Sequence, residues 1–283
     1  MKIDMHCHVS QGSVDSKVSV ESYIETLQQK GIQGMLITDH NTYNGYRYWK
    51  KNIAGKQFLD FVVLKGIEYD TRDAGHIIVI MPMGVKMKLL ELRGLSVQFL
   101  IEFVHRNGGV LGPAHPCGEK YMSYTNTKCY IKRPEIIKRF DFIEVYNACE
   151  PDESNASAKA LAVKYRKFEA GGSDSHRIAC VGTGYTEFEE DIKTELDLID
   201  VIRKKKKTYC GGEGYSHTTK DKLGKAKSIM AYSFWVYNKG GAWFRKLSRV
   251  SKGNQEDPSA PIDPIEMEYW RKHKKFHLPK RKL

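Results

Sequence analysis

Met5-His6-Cys7-His8 is the stretch on which the reading of this chain turns. It follows the apolar residue Ile3, and the segment Lys2–His8 reads as a β-strand. Side chains alternate faces along a strand, so His6 and His8 point the same way and Cys7 points to the opposite, core-facing side. Two neutral imidazoles aimed at one point make half of a metal site. The plainer alternative is a strand end carrying two exposed histidines. The recurrence of the pattern further along the chain favours the metal site.

Apolar β-rich segments alternate with helical ones. Strands are predicted at 35–38, 61–67, 76–81, 110–112, 142–145 and 170–172. Helices are predicted at 20–29, 43–52, 97–106, 134–139, 155–168 and 196–205. Such alternation points to an α/β fold with a parallel sheet or barrel. Imidazoles and carboxylates cluster at the ends of these strands. The second strand runs into Asp39-His40, the third ends in Glu68, the fifth leads to His115, and 170–172 leads to Asp174-Ser175-His176. In a barrel of parallel strands those ends converge on one face, where active sites are built. His76 differs, since it opens a strand; Asp73-Ala74-Gly75 is expected to fold it back over the rim. The ligand types suit Zn, Mn or Fe rather than a closed structural zinc. Their number implies two or three divalent ions, with Glu68 bridging. Ions about 3.5–4 Å apart stabilise the attacking and leaving oxygens of a phosphoryl displacement.

The residues His6-x-His8, Thr38-Asp39-His40-Asn41, Gly66-Ile67-Glu68, His76, Ala114-His115-Pro116 and Ser173-Asp174-Ser175-His176 together resemble the PHP (polymerase and histidinol phosphatase) family of metal-dependent phosphoesterases. The resemblance covers about residues 1–210. It implies a distorted, TIM-like barrel of seven parallel strands with a trinuclear site at the C-terminal rim. By resemblance, His6, His8, Glu68 and Asp174 would hold one ion, and Glu68, His76 and His115 the second. His40 and His176 would hold the third, completed by Asp15. The expected reaction is hydrolysis of a phosphoester by a hydroxide bridging two metals. Arg177 is placed to contact a phosphate, and Asn41 to position the loop or the substrate. The expected substrates are phosphorylated small molecules, nucleotides or 5′-phosphorylated nucleic-acid ends.

Charge divides the chain. Residues 201–283 carry 21 Lys and Arg against 7 Asp and Glu, a net of +14, whereas residues 1–200 are near neutral at −2. We therefore expect a barrel over 1–212 and a basic extension over 213–283. The extension interleaves Tyr232, Phe234, Trp235, Tyr237, Trp243 and Phe244 with Lys and Arg. It could pack on the barrel, lie on anionic lipid, or recruit nucleic acid by stacking and phosphate contacts. The alternative to an enzyme is a nucleic-acid-binding module with a structural or vestigial metal site. Six scattered cysteines without CxxC spacing fit a reducing, cytoplasmic setting. No apolar run approaches the roughly 20 residues that span a bilayer.

Overall fold

A computed structural model describes residues 1–82, 88–119 and 122–215. The expectations for residues 216–283 lie outside this range. The framework is a seven-stranded mixed sheet in the order β5-β4-β3-β2-β1-β8-β9, with a separate parallel pair β6-β7. The strands are β1 (Lys2–Cys7), β2 (Gly34–Ile37), β3 (Val62–Asp70), β4 (His76–Ile80), β5 (Val110–Pro113), β6 (Phe142–Asn147), β7 (Phe168–Gly172), β8 (Gly184–Phe188) and β9 (Thr208–Gly212). Helices α1 (Val20–Gln29), α2 (Asn44–Asn52), α3 (Val97–Arg106), α4 (Lys128–Lys132), α5 (Asp152–Tyr165) and α6 (Glu195–Lys204) connect them.

The helices form where capping and periodicity agree. The Ser19 side chain caps α1 by accepting from the Ser22 backbone N–H, and the helix buries Val20, Tyr23, Ile24 and Leu27. Each such side chain contributes about 1.5–3 kcal/mol through burial. Thr194 and Asp197 form a reciprocal capping box on α6. Helix α5 begins three residues before the expected Asn155 and stops at Tyr165, because Arg166 adopts a left-handed C-cap. Phe168, expected in that helix, instead pairs with Phe142 to open β7.

β1, β2 and β3 are parallel, as are β6 and β7. The expectation of seven parallel strands needs correction, because β4 and β8 run antiparallel to their neighbours. Residues 71–75 join β3 to β4, too few for the dozen or so that a parallel crossover needs, so the chain reverses. The segment 173–183 after β7 holds only a 3-10 turn at Ile178–Cys180, so β8 also starts at the rim where β7 ends. The two sheets curl into a barrel-like wall. The Asp141 N–H donates to the Leu111 carbonyl at 2.9 Å beside β5, and the Asp174 N–H to the His6 carbonyl at 2.9 Å beside β1. Gly172 permits this approach, since a Cβ there would lie 2.5 Å from the His6 backbone nitrogen.

The core lies on both sides of the sheet. One apolar cluster holds Ile67, Tyr69, Val79, Leu100 and Phe140, and a second Ile3, Leu36, Ile78, Phe142 and Leu198. A third packs Cys7 and Val9 with Tyr23, Ile24 and Leu27, so Cys7 points into the core as strand alternation requires. All six cysteines are free thiols. Among the described residues no helix is long and apolar enough to cross a membrane.

Candidate metal centre

The strand ends, with the β1–α1 loop that carries Asp15, bring all nine expected ligands into one cluster. Nε2 of His6 lies 3.5 Å from Glu68 Oε2 and 3.6 Å from Asp174 Oδ1; Nε2 of His8 lies 3.3 Å from each. Glu68 turns its other oxygen the opposite way: Oε1 is 2.9 Å from His76 Nδ1 and 3.2 Å from His115 Nε2. Asp15 Oδ2 lies 3.6 Å from His40 Nε2 and 3.4 Å from His176 Nε2. His40 also reaches Glu68 Oε2 through Nδ1 at 3.1 Å, which joins the Asp15 group to the rest.

His76 reaches this rim because β4 is antiparallel. It pairs with Asp70, the last residue of β3, so the start of one strand meets the end of the other. Gly75 makes the hairpin possible: its φ is +75°, and a Cβ would collide with the Met122 carbonyl oxygen.

The imidazoles are oriented from behind. His6 Nδ1 donates to Glu144 Oε1 at 2.8 Å, and His176 Nδ1 donates to the Asp174 carbonyl at 3.0 Å. The Ser13 hydroxyl donates to Asp39 Oδ1 at 2.9 Å, so it accepts from His8 Nδ1 at 3.2 Å. In each ring the outer nitrogen donates and the Nε2 lone pair faces inward, as ligating histidines are held. Glu144 is itself braced. Its Oε2 accepts from the His115 backbone N–H and from Asn147 Nδ2 at 3.1 Å, and Asn147 Nδ2 also lies 3.3 Å from Asp174 Oδ2. Three residues of the rim loops, Asn41, His115 and Asp174, have positive φ values of 51°, 30° and 51°. Non-glycine residues in that region are uncommon and concentrate at functional sites.

Buried charge shapes the electrostatics. Burial raises the pKa of the Glu68 carboxyl, but His76, His40 and His6 outweigh it and hold the group well below its ordinary value. Burial lowers the pKa of the His76 imidazole, and Glu68 and Asp70 outweigh that to raise it to about 10. His6 is likewise raised well above its usual value, with Glu144, Asp174 and Glu68 overcoming the effect of burial. Protons and cations therefore compete for the same inward lone pairs.

The donor set fits divalent cations. His6 Nε2, His8 Nε2, Glu68 Oε2 and Asp70 Oδ1 are buried without a hydrogen-bond partner, an arrangement that costs free energy unless something satisfies them. Metal–ligand bonds of about 2.1 Å in tetrahedral geometry place ligand atoms about 3.4 Å apart. The separations of 3.3–3.6 Å around the first subsite match that spacing.

Two further expectations stand apart from the cluster. Asn41 spends its side chain on the fold: Oδ1 accepts from the Asp70 N–H at 2.9 Å and pins the His40 loop to β3. Arg177 is exposed, and its carbonyl accepts from the Ser175 hydroxyl at 2.9 Å. Three residues were missed. Asp70 Oδ1 lies 3.1 Å from His76 Nε2 and 3.7 Å from His40 Nδ1, with Arg93 at 2.9 Å from its other oxygen. Glu68 and Asp70 are two apart on one strand, the signal already used for His6 and His8. Glu144 was visible as a carboxylate inside the apolar run Phe142-Ile143-Glu144-Val145. Asn147, three positions on, reaches it through a register irregularity between Glu144 and Tyr146, which sequence does not reveal.

An α/β wall carrying a cluster of imidazoles and carboxylates at one rim defines the class of this protein. The PHP domain model matches residues 4–170 and the PHP-associated model residues 152–206, so the chain belongs to the PHP family. No curated protein matches in sequence. Among solved structures, PsfC from Pseudomonas syringae superposes with a TM-score of 0.56 at 15% identity, over 82% of this chain and 98% of that one. A two-domain protein from Bacteroides vulgatus containing a predicted PHP-like metal-dependent phosphoesterase gives 0.55 at 17% identity, over 75% and 65%. Endonuclease Q, in complex with a 27-mer duplex bearing an abasic lesion, gives 0.51 at 16% identity, over 74% and 57%. At these identities the likeness is one of fold, and this chain spans less than two thirds of the last two proteins.

Proposed function

We propose that this protein is a metal-dependent phosphoesterase, hydrolysing phosphomonoesters or the 5′-phosphorylated ends of nucleic acid. The observation that carries the reading is the divided aim of Glu68: one oxygen faces His6 and His8, the other His76 and His115. A carboxylate so placed would serve two cation positions. His6, His8, Glu68 and Asp174 would hold the first cation, Glu68, His76 and His115 the second, and Asp15, His40 and His176 the third. Bound there, divalent cations act as Lewis acids toward phosphoryl oxygens and lower the pKa of a coordinated water towards neutrality.

The chain's own residues supply the preorganisation. Glu144, Ser13 and the Asp174 carbonyl fix which nitrogen of each imidazole faces inward. Asn147 Nδ2 reaches both Glu144 and Asp174, which ties the support of His6 to a neighbouring carboxylate. His40, His176 and Asp15 form the partly exposed side, where a substrate phosphate enters. Arg177, on the same rim loop as His176, offers a guanidinium for bidentate phosphate contact. The basic extension, 213–283, would recruit a polyanionic substrate by counterion release. The Endonuclease Q likeness supports nucleic acid as one substrate class.

The test incubates metal-loaded protein with an aryl phosphate and with 5′-phosphorylated oligonucleotides. Turnover lost with chelator and with His40→Ala is the expected result. Oligonucleotide binding with no turnover of any phosphoester, cations being bound, would replace the enzyme with a binding module.

A further inference from the structure

The run Arg203-Lys204-Lys205-Lys206-Lys207 has no part in the metal centre, and the fold divides it. Lys204 pairs with Asp200 at 2.6 Å and Lys206 with Glu190 at 3.3 Å. Arg203 and Lys205 instead line a cavity of about 350 Å³, together with His105, Lys138, Arg139 and Lys167. Phe140 and Ile202 lie beneath it, almost fully buried, so its accessible surface comes from the charged side chains and their aliphatic stems. Asp141, which precedes β6, is the one carboxylate in the lining. Asn147, at the other end of β6, touches Asp174 of the metal centre. Six strand residues at about 3.3 Å each put the cavity about 20 Å from that centre, at the opposite end of the sheet.

Part of this positive charge has a structural role. Arg203 donates to the Gly108 carbonyl at 2.9 Å, just past the end of α3, and Lys167 donates to the Lys138 carbonyl at 2.7 Å. Cations at helix C-termini are favourable. The rest exceeds that need. Arg139 has Glu102 at 3.8 Å, a distant and exposed pair, and Asp141 is engaged by His105 at 2.9 Å and by the Leu111 N–H. Among the described residues neither Lys138 nor Lys205 has a carboxylate within ion-pair distance. Burial lowers the pKa of Lys167, and the neighbouring Lys205 lowers it further, while Asp141 offsets part of the effect.

We propose that this cavity is a second, metal-independent binding site for a small anion carrying a di- or polyphosphate group. A concave volume near the low end of ligand pockets suits a small molecule better than a duplex. Lys138 and Lys205 would contact the phosphates, with Arg139 at the edge. The site neither uses the metal centre nor depends on the reading of its chemistry.

The test uses the full chain treated with chelator, titrated calorimetrically with inorganic pyrophosphate and with a nucleoside diphosphate. Saturable one-to-one binding is expected. In the double variant Lys138→Glu, Lys205→Glu the dissociation constant rises about tenfold or more. In Lys138→Gln, Lys205→Gln it rises by a smaller factor. His40→Ala leaves it unchanged, and both double variants keep the parent's far-UV circular dichroism and thermal midpoint. Binding unchanged in the lysine variants, binding lost in His40→Ala, or no saturable binding overturns the proposal.

Discussion

The two sides of the ligand cluster meet water differently. The side chains of His6, His8, Glu68 and Asp174 are 0–6% exposed, whereas those of His40, His176 and Asp15 are 27%, 28% and 40% exposed. The inner side is built like a protein core, with every imidazole oriented by a second polar group. On the outer side Asp15 comes from a loop between β1 and α1 and depends on two histidines for its own position. On the proposed reading the contrast separates two tasks: the buried side would retain cations in fixed geometry, and the open side would exchange ligands with solvent.

The comparison can be broken most directly at its shared residue. Glu68→Gln removes the carboxylate that both inner subsites use, and should lower cation affinity and phosphoester turnover by more than about 10²-fold, beyond the usual cost of losing an outer partner. Metal analysis of the dialysed variant alongside an aryl phosphate assay measures both. A variant that kept its full cation content would remove the division of labour. Glu144→Gln leaves the ligands in place and weakens their support. The expected cost is about 10- to 100-fold in cation affinity with the fold retained, read by competition with a chromogenic chelator. The smallest change is expected for Asp15→Asn: one fewer cation per chain, and under about tenfold in the affinity of the remaining ones, given how exposed the group is. If Asp15→Asn emptied the whole centre, the outer side would be its foundation rather than its mouth.

Much of this centre was legible because strand periodicity is simple. The i, i+2 spacing of His6 and His8 needed only alternation. Asp70 obeys the same rule from Glu68, but the apolar run that predicts β3 stops at Ile67, whereas the strand runs on to Asp70. The helices α1 and α3 matched their apolar spacing at both ends, since each has a serine cap and a clear stop. Strands β8 and β9 gave no signal. The inward residues of β8 are Gly184, Thr186 and Phe188, and β9 is a half-exposed edge of Thr, Tyr, Cys and Gly. Neither presents the alternation of apolar and polar residues that identifies a strand. The direction of β4 was hidden for another reason. Apolar content distinguishes a buried strand but carries no sign for parallel or antiparallel, and only the length of the 71–75 link decides it.

The hairpin of β3 and β4 carries Glu68, Asp70 and His76 on one continuous piece of chain. The separation between these donors is therefore ruled by ladder hydrogen bonds, not by the reach of flexible side chains. A slip of one residue in that pairing would turn His76 to the far face and leave Glu68 with no imidazole from β4. The tight corner at Gly75 thus acts as a gauge block, setting the interval between Glu68, Asp70 and His76 by the repeat distance of a β-sheet.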